Sequence, residues 1–224
     1  MSADEDGIRW LRDTFGGRID DAVAGTPFKP NLIIAIAMQE TGFIWKPQSK
    51  TKTPDEVLAL CVGDTLDYPK RKAFPRTRAL LEAEPRGKEM FKVARKALVN
   101  LGTINKTYKN IAEANPDKMC HGFGMFQYDL QFFLEDPDFF IDRKWASFDG
   151  TLGRCVKELR AKLVRVYGKD KKTLTDKESV YVAIAYNKGS ADTSKGFKQG
   201  YKDSSGVYYG EHIDRNLKLA NATT

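Results

Sequence analysis

The sequence predicts a mostly α-helical protein, and three observations indicate this class. Apolar residues recur at helical spacing in several segments, two capping boxes mark helix starts, and the alternation typical of strands is nearly absent. The chain has 224 residues, of which 41% are hydrophobic, and it is long enough to bury its own core. We therefore expect one domain over residues 1–224, packed mainly from helices.

The first two helices are predicted near the N-terminus. Residues 8–15 place an apolar stripe on one side of a helix, which Gly16-Gly17 is expected to interrupt. A second helix is predicted over Asn31–Thr41, with Gly42 at its end. Its residues 32–38 are apolar all round, so this helix should be buried on every side.

Capping chemistry and apolar stripes predict the later helices. The box Thr53-Pro54-Asp55-Glu56 opens a short helix through Val62, and the box Thr175–Glu178 opens another helix toward Tyr186. The stripes predict three more helices, over residues 90–101 closed by Gly102, over 152–166 stopped by Gly168, and around Ile213, Leu217 and Ala220.

Basic residues outnumber acidic ones, 37 to 30, which gives a formal net charge of +7. This excess favours an anionic polymer as partner, either nucleic acid or a carboxylate-bearing wall polymer, although it can also serve solubility alone. Cys61, Cys120 and Cys155 are widely spaced, and His121 and His212 are the only histidines. We therefore expect no metal, no cofactor and no disulfide scaffold, and folding in a reducing cytoplasm.

No membrane span is expected, because the longest apolar run has seven residues and a bilayer crossing needs about 20. The first residues are acidic and lack a charged segment followed by an apolar one, so no secretory signal is predicted. We expect the protein to be made in the cytoplasm without a signal peptide.

Glu40 is the first candidate for chemistry. It follows an apolar helical run, and carboxylates are seldom buried without a partner. Burial and the negative end of the helix dipole would both favour the protonated acid, which can protonate a leaving oxygen. The alternative is that Glu40 simply faces water at a frayed helix end.

Two further segments contain candidate binding residues. In His121–Asp129 two glycines permit a tight backbone close to a ligand, and Gln127 supplies an amide suited to an N-acetyl group or a sugar hydroxyl. In Ala183–Gly189 a helix ends at Tyr186-Asn187, which could project into a cleft. An ordinary core-lining turn and ordinary helix capping are the respective alternatives.

Taken in this order, the three segments resemble those of lysozyme-like lytic transglycosylases and goose-type lysozymes. Met38-Gln-Glu40-Thr-Gly-Phe43 is similar to the family segment that holds the catalytic glutamate. Gly122–Gln127 is similar to the family's Gly-x-Gly-Leu-Met-Gln, and Ala185–Gly189 to its Ala-Tyr-Asn-x-Gly. Tyr208-Tyr209 resembles a late aromatic segment of the family, or else packs a terminal helix.

The resemblance implies a lysozyme-like fold whose cleft binds alternating N-acetylglucosamine and N-acetylmuramic acid. It makes Glu40 the general acid/base, brings Tyr186 and Asn187 near its carboxyl group, and gives Gln127 a contact with the sugar. These groups are then expected to converge on one site. The other substrate-binding candidates in the matching segments are Thr41, Gly124 and Met125.

The sequence departs from the family pattern in places. Thr41 replaces the usual serine but keeps a hydroxyl, and Phe126 stands where methionine is typical. A larger departure is a predicted helical insertion at about 54–116. It is basic around Lys70-Arg71-Lys72 and along residues 86–96, which indicates either a solvated face or a wall-binding lobe.

The resemblance leaves two reactions open. Hydrolytic glycosidases generally use two carboxylates, whereas lytic transglycosylases need only one and leave a 1,6-anhydro end. The joint presence of Glu40, Gln127 and Tyr186-Asn187 favours the transglycosylase, with a hydrolytic muramidase as the alternative. The candidates for a second carboxylate are Asp64, Asp67 and Asp129.

Peptidoglycan strands are thus the expected partner, and nucleic acid is not expected. The competing classes are a basic nucleic-acid-binding domain and a wall-binding domain derived from a decayed enzyme. Without a signal, the protein should reach the wall, in the periplasm or outside the cell, through a secretion system as an antibacterial effector or through a phage lysis or tail system. Such a route implies a delivery or immunity protein as a further partner.

Overall fold

The computed structural model describes residues 2–66 and 70–223. In these ranges the chain is mostly helical, with ten α-helices and one small sheet. None of the described helices is both long and apolar enough to cross a membrane. The helices are α1 (Ala3–Val23), α2 (Pro30–Gln48), α3 (Pro54–Leu60), α4 (Arg78–Glu82), α5 (Gly87–Gly102), α6 (Lys106–Ala114), α7 (Pro137–Ile141), α8 (Phe148–Tyr167), α9 (Asp176–Lys188) and α10 (Tyr209–Ala222).

The chain divides into two compact units, and the mostly α class predicted from the sequence is confirmed. The first, which we call the terminal unit, comprises Met1–Lys46 and Leu152–Thr224. The second, which we call the central unit, comprises Pro47–Thr151. The terminal unit contains α1, α9, α10 and most of α2 and α8, whereas the central unit contains α3 to α7 and the sheet.

Apolar helix faces form the core of the terminal unit. Helix α2 is buried all round over residues 32–38, as its uniformly apolar sequence predicts. Helix α9 adds the buried run 180–185, and the Asn216 amide of α10 donates to the Ala35 carbonyl of α2 at 3.4 Å. Each fully buried aliphatic side chain stabilises the fold by about 1.5–3 kcal/mol, so packing outweighs helix propensity here.

Helix α1 is longer than the sequence predicts. Ser2 and Glu5 form a capping box at its start. The expectation that Gly16-Gly17 interrupts it is wrong, because the buried stripe continues to Val23 on the far side of the glycines. A Cβ built on either glycine would meet no described atom within 4 Å, so the pair lowers helix propensity without affecting packing.

Helix α2 also continues past the glycine that was expected to end it. It runs beyond Gly42 to Gln48, and Trp45 is fully buried one turn after Gly42. The Trp45 indole N–H donates to the Ala37 carbonyl at 3.1 Å. Burial of this ring outweighs the propensity cost of one glycine, about 1 kcal/mol, and the helix therefore continues.

Helix α3 ends earlier than predicted. Thr53 and Glu56 form the expected capping box, but the helix ends at Leu60 and does not reach residue 62. Residues Val62–Leu66 instead form strand β1, which pairs antiparallel with β2 (Met119–Phe123). The backbone hydrogen bonds of this pairing replace those that a continued helix would have made.

Strand β3 (Tyr128–Asp129) completes a three-stranded antiparallel sheet in the order β1-β2-β3. The register places Gly63 opposite Gly122 on the two longer strands, so the sheet carries two adjacent positions without side chains. This sheet was not anticipated from the sequence, because strands of two to five residues leave too short an alternation to detect.

Aromatic rings form the core of the central unit. Phe123 of β2 packs edge to face on Phe140, with ring centroids 5.4 Å apart, and lies 5.3 Å from Trp145. Tyr128 of β3 stacks on Phe132 at 4.9 Å and on Phe140 at 5.5 Å. These contacts hold the β2–β3 hairpin against α7 and the residues on either side of it.

The predicted insertion at about 54–116 is not helical throughout. It contains α3 to α6 but also strand β1. Within it, the Arg95 guanidinium of α5 donates to the carbonyls of Ala112, Asn115 and Lys118 around the C-terminal end of α6.

Four other helices confirm the sequence analysis. Helix α5 ends at Gly102, α8 stops before Gly168, α9 follows the Thr175–Glu178 capping box, and α10 covers residues 213–220. The apolar stripes predicted α5, α8 and α10, and the capping box predicted α9.

Candidate active site

Glu40 lies in the terminal unit, within α2 and not at its end. Its side chain is partly exposed and follows the buried run 32–38. Because α2 continues to Gln48, the argument that the negative helix end favours protonation of Glu40 is wrong. The surroundings of the carboxylate, built by other helices, must therefore determine its behaviour.

Tyr209 is a direct partner of Glu40. The phenol O–H of Tyr209, the first residue of α10, donates to Glu40 Oε1 at 2.6 Å. The tyrosine is 3% exposed, and its burial, with the nearby Glu40 charge, raises its pKa well above the ordinary value. The phenol therefore stays protonated at neutral pH and acts as a donor to the carboxylate.

Tyr186 and Cys155 lie beside the same carboxylate. The Tyr186 hydroxyl, near the end of α9, and the Cys155 thiol of α8 are hydrogen-bond partners. Removal from water raises the pKa of both groups, and the negative charges of Glu40 and Glu158 act in the same direction. The expected proximity of Tyr186 to Glu40 is therefore present, and four helices of one unit contribute to the site.

Asn187 contributes through its side chain, which binds the backbone of the segment before α10. Its Oδ1 accepts the Tyr201 N–H at 2.9 Å, and the Tyr201 carbonyl accepts the Tyr209 N–H at 2.8 Å. A Cβ on Gly200, whose φ is +88°, would lie 2.9 Å from Asn187 Oδ1 and 2.7 Å from the Cβ of Tyr209. Asn187 thus fixes the segment that positions the phenol donor of Glu40.

Two contributors to this site were missed or left open by the sequence analysis. Cys155 lies in the apolar stripe predicted over residues 152–166 and is one of three widely spaced cysteines, and nothing local distinguishes it from a core residue. Tyr209 was named only within an aromatic segment with two interpretations. Its hydrogen bond to Glu40 spans 169 positions in the chain, so no local pattern could reveal it.

Thr41 and Met125 are fully buried, each with 0% exposure. Both were expected to contact substrate, but a ligand cannot reach side chains that no solvent reaches. Thr41 belongs to α2 of the terminal unit, and Met125 to the turn after β2 in the central unit.

Gly124 and Gln127 form a tight turn in the central unit. Gly124 has φ +80°, and a Cβ there would lie 2.4 Å from Thr151 Oγ1, so only glycine fits. The Gln127 amide donates to the Gly124 carbonyl at 2.9 Å. Its Oε1 occupies the space left by the paired glycines, since a Cβ on Gly63 or Gly122 would lie within 2.6 Å of it.

Asp129 is held by two basic side chains. Arg71 donates to its Oδ1 at 2.6 Å, and the His121 ring lies 3.0 Å from its Oδ2. Burial opposes ionisation of Asp129, but the His121 and Arg71 hydrogen bonds and charges outweigh it, so the pKa of Asp129 lies below its ordinary value. This carboxylate is therefore a stable anion.

The other second-carboxylate candidates differ in position. Asp64 is 75% exposed, has a left-handed backbone with φ +47°, and approaches His121 Nε2 to 3.7 Å. Asp67 lies outside the described residues. Of the predicted site residues, Glu40, Tyr186 and Asn187 belong to the terminal unit, and Gln127, Gly124 and Asp129 belong to the central unit.

No protein-family model, no curated protein and no solved structure matches this chain. The assignment of the site therefore depends on the geometry around Glu40 and on the resemblance of the three short segments.

Proposed function

We propose that this chain is a peptidoglycan lytic transglycosylase of lysozyme-like fold, with Glu40 as its general acid/base. The observation that supports this most is the carboxylate of Glu40 next to the neutral phenols of Tyr209 and Tyr186. Such a group can hold a proton, release it to a leaving oxygen and recover it.

In the proposed reaction the Glu40 carboxylic acid protonates the oxygen that joins C1 of N-acetylmuramic acid to the next N-acetylglucosamine. The bond between C1 and this oxygen breaks. The Glu40 carboxylate then takes the proton of the muramoyl C6 hydroxyl, whose oxygen forms a new bond to C1. The products are a 1,6-anhydro end and a free sugar hydroxyl, no water is consumed, and Glu40 is again protonated.

Tyr209 has a positioning role in this scheme. Its hydrogen bond fixes the orientation of the Glu40 carboxyl group, which must face the glycosidic oxygen and then the C6 hydroxyl. Because its pKa is raised, Tyr209 remains a neutral donor throughout the working pH range and does not compete for the proton that Glu40 transfers.

Hydrolysis by a muramidase would require a second carboxylate as base or nucleophile. Asp129 is a poor base because two basic side chains hold it as an anion. Asp64 is largely exposed beside His121. These environments favour the reaction that needs one carboxylate, with hydrolysis as the outcome that product analysis would detect.

The test is digestion of purified peptidoglycan by the wild type and by Glu40→Gln. We expect Glu40→Gln to lower the release of soluble fragments roughly 10³-fold, within the range typical of general acid–base groups. Glu113→Gln is a matched control, because Glu113 is 65% exposed on α6 and pairs only loosely with Lys109 at 3.8 Å. Full activity of Glu40→Gln, or no activity of the wild type, would contradict the proposal.

A further inference from the structure

The segment between α9 and α10 ends in a small hairpin, residues 201–208. Lys202 and Tyr208 form an antiparallel bridge across it. At its tip, Asp203 Oδ1 accepts the backbone N–H groups of Ser205 at 2.8 Å and Val207 at 3.0 Å. The hairpin is therefore an ordered structure with its own hydrogen bonds.

The hairpin is attached to the helices that bear the Glu40 site. Tyr201 is bound through its N–H to Asn187 of α9 and through its carbonyl to Tyr209 of α10. His212 of α10 contacts Asp203 Oδ2 at 2.7 Å, and this contact lowers the pKa of Asp203. The position of Tyr201 is thus coupled to that of the phenol that donates to Glu40.

The Tyr201 side chain is 69% exposed, although its backbone is fixed on both sides. Among the described residues the ring has no stacking partner and the hydroxyl no hydrogen bond. A single exposed aromatic residue is ordinary. A rigidly held one offers a flat face and a polar tip at a small cost in conformational entropy, which suits stacking on a sugar ring.

Positive charge surrounds this ring in the sequence. Residues 188–203 contain four exposed lysines and two acids, Asp192 and Asp203, a net charge of +2. Lys195 pairs with Asp192 at 3.3 Å, and the Lys202 ammonium lies 5.4 Å from the centroid of the Tyr208 ring. Lys188, Lys198 and Lys202 have no carboxylate partner in the part of the chain that the structure describes. A partner of this surface should therefore carry negative charge.

We propose that Tyr201 and Lys202 form a saccharide subsite for carboxylate-bearing sugar units of a glycan strand. Tyr201 stacks on the sugar ring, and Lys202 attracts the carboxylates of the lactyl or peptide substituent. This inference rests on the proposed function, because it names where a strand that is cleaved at Glu40 is also held. The shared backbone hydrogen bonds explain why such a subsite would lie beside the acid.

The experiment measures binding of the full-length chain, made inactive by Glu40→Gln, to purified peptidoglycan. We expect Tyr201→Ala to weaken binding about tenfold and Tyr201→Phe to bind nearly as well as the parent, because stacking needs the ring. Lys202→Met should weaken binding about threefold at low salt and have no effect at high salt. Val164→Ala, which changes a 51% exposed residue of α8, and Lys172→Met are the matched controls.

Two soluble ligands separate the contributions. The binding of neutral N-acetylglucosamine oligomers should depend on Tyr201 but not on Lys202, since these oligomers carry no carboxylate. A single-stranded oligonucleotide tests the other partner that an aromatic ring and lysines could bind. Equal binding of Tyr201→Ala and Val164→Ala to peptidoglycan would overturn the subsite, and so would tighter, Tyr201-dependent binding of the oligonucleotide.

Failure of the subsite and failure of the proposed function give different results. If the wild type cleaves peptidoglycan while Tyr201→Ala binds and cleaves normally, only the subsite is wrong. If the wild type does not cleave, yet binding depends on Tyr201 and Lys202, the catalytic proposal is wrong and the saccharide surface stands.

Discussion

Glu40 in the terminal unit and Asp129 in the central unit are carboxylates in opposite surroundings. Glu40 accepts a hydrogen bond from the neutral phenol of Tyr209, with a second neutral phenol and a thiol nearby. Asp129 contacts the guanidinium of Arg71 and the imidazole of His121. The surroundings of Glu40 in the terminal unit therefore allow its carboxyl group to exchange a proton. The surroundings of Asp129 in the central unit stabilise its carboxylate as a fixed charge.

The two carboxylates are therefore expected to have different roles. A charge-assisted bond to arginine strongly favours the anion and contributes to stability. A neutral donor also orients a carboxyl group, but it favours the ionised form less strongly than arginine does. We therefore expect changes around Glu40 to affect activity and changes around Asp129 to affect stability.

Tyr209→Phe should have the largest effect among the neighbours of the two carboxylates. Loss of the phenol O–H should reduce wall cleavage roughly 10- to 100-fold, because the acid is no longer oriented. The high-pH limb of the activity profile should move toward higher pH, since this donor stabilises the ionised form of Glu40 and the reaction begins with the protonated acid. Tyr181→Phe, a buried tyrosine on α9, serves as the control. An unchanged profile would show that the hydrogen bond has only a structural role.

Asp129→Asn should lower the free energy of unfolding by about 1.5–3 kcal/mol, the range for losing hydrogen bonds to a charged group. Its folded fraction should keep wall-cleaving activity within about tenfold, a smaller loss than that of a general acid. Chemical denaturation and cleavage assays on the same sample measure both quantities. A complete loss of activity with unchanged stability would make Asp129 a reacting group and support hydrolysis.

The free energy of unfolding should depend on acid pH through Asp129. Because the pKa of Asp129 is lower in the folded chain than its ordinary value of about 3.9, the unfolded chain takes up the proton first as pH falls. The contribution of Asp129 is thus complete above its unfolded pKa and is lost as pH falls through its folded pKa. Asp129→Asn should flatten this slope in denaturation curves between about pH 5 and pH 2, whereas Glu113→Gln should leave it unchanged.

Asn187→Ala should have the smallest effect. It removes the acceptor of the Tyr201 N–H and so loosens the segment that positions Tyr209. We expect a loss of about 1 kcal/mol in stability and a fewfold loss in activity, with Asn187→Asp retaining more of both. If Asn187→Ala abolished cleavage while the fold was intact, Asn187 would be a substrate-contacting residue and not a positioning one.

The sequence was sufficient for those features that depend on local patterns. The apolar stripes of α5, α8 and α10 and the capping box of α9 lie within or next to each helix, and they predicted these helices correctly. The glycines of α1 and α2 predict helix ends that are too early, because buried residues beyond them, such as Trp45, stabilise a longer helix. The sheet was missed because its pairing joins residues 62–66 to residues 119–123.

The candidate site could be predicted only in part for the same reason. Glu40 and Tyr186 were named from short segments, and they lie near each other. The donor to Glu40 comes from a helix near the other end of the chain, and the Arg71 partner of Asp129 lies 58 positions away from it. Tertiary packing determines these contacts, and no spacing in the sequence records them.

The mass of the muropeptides released from purified peptidoglycan tests the central claim most directly. A single-carboxylate reaction at Glu40 predicts fragments with 1,6-anhydro ends, each lighter by one water than the corresponding reducing fragment, and none of them from Glu40→Gln. Fragments that carry ordinary reducing ends would contradict the transglycosylase and require a second carboxylate and a water molecule.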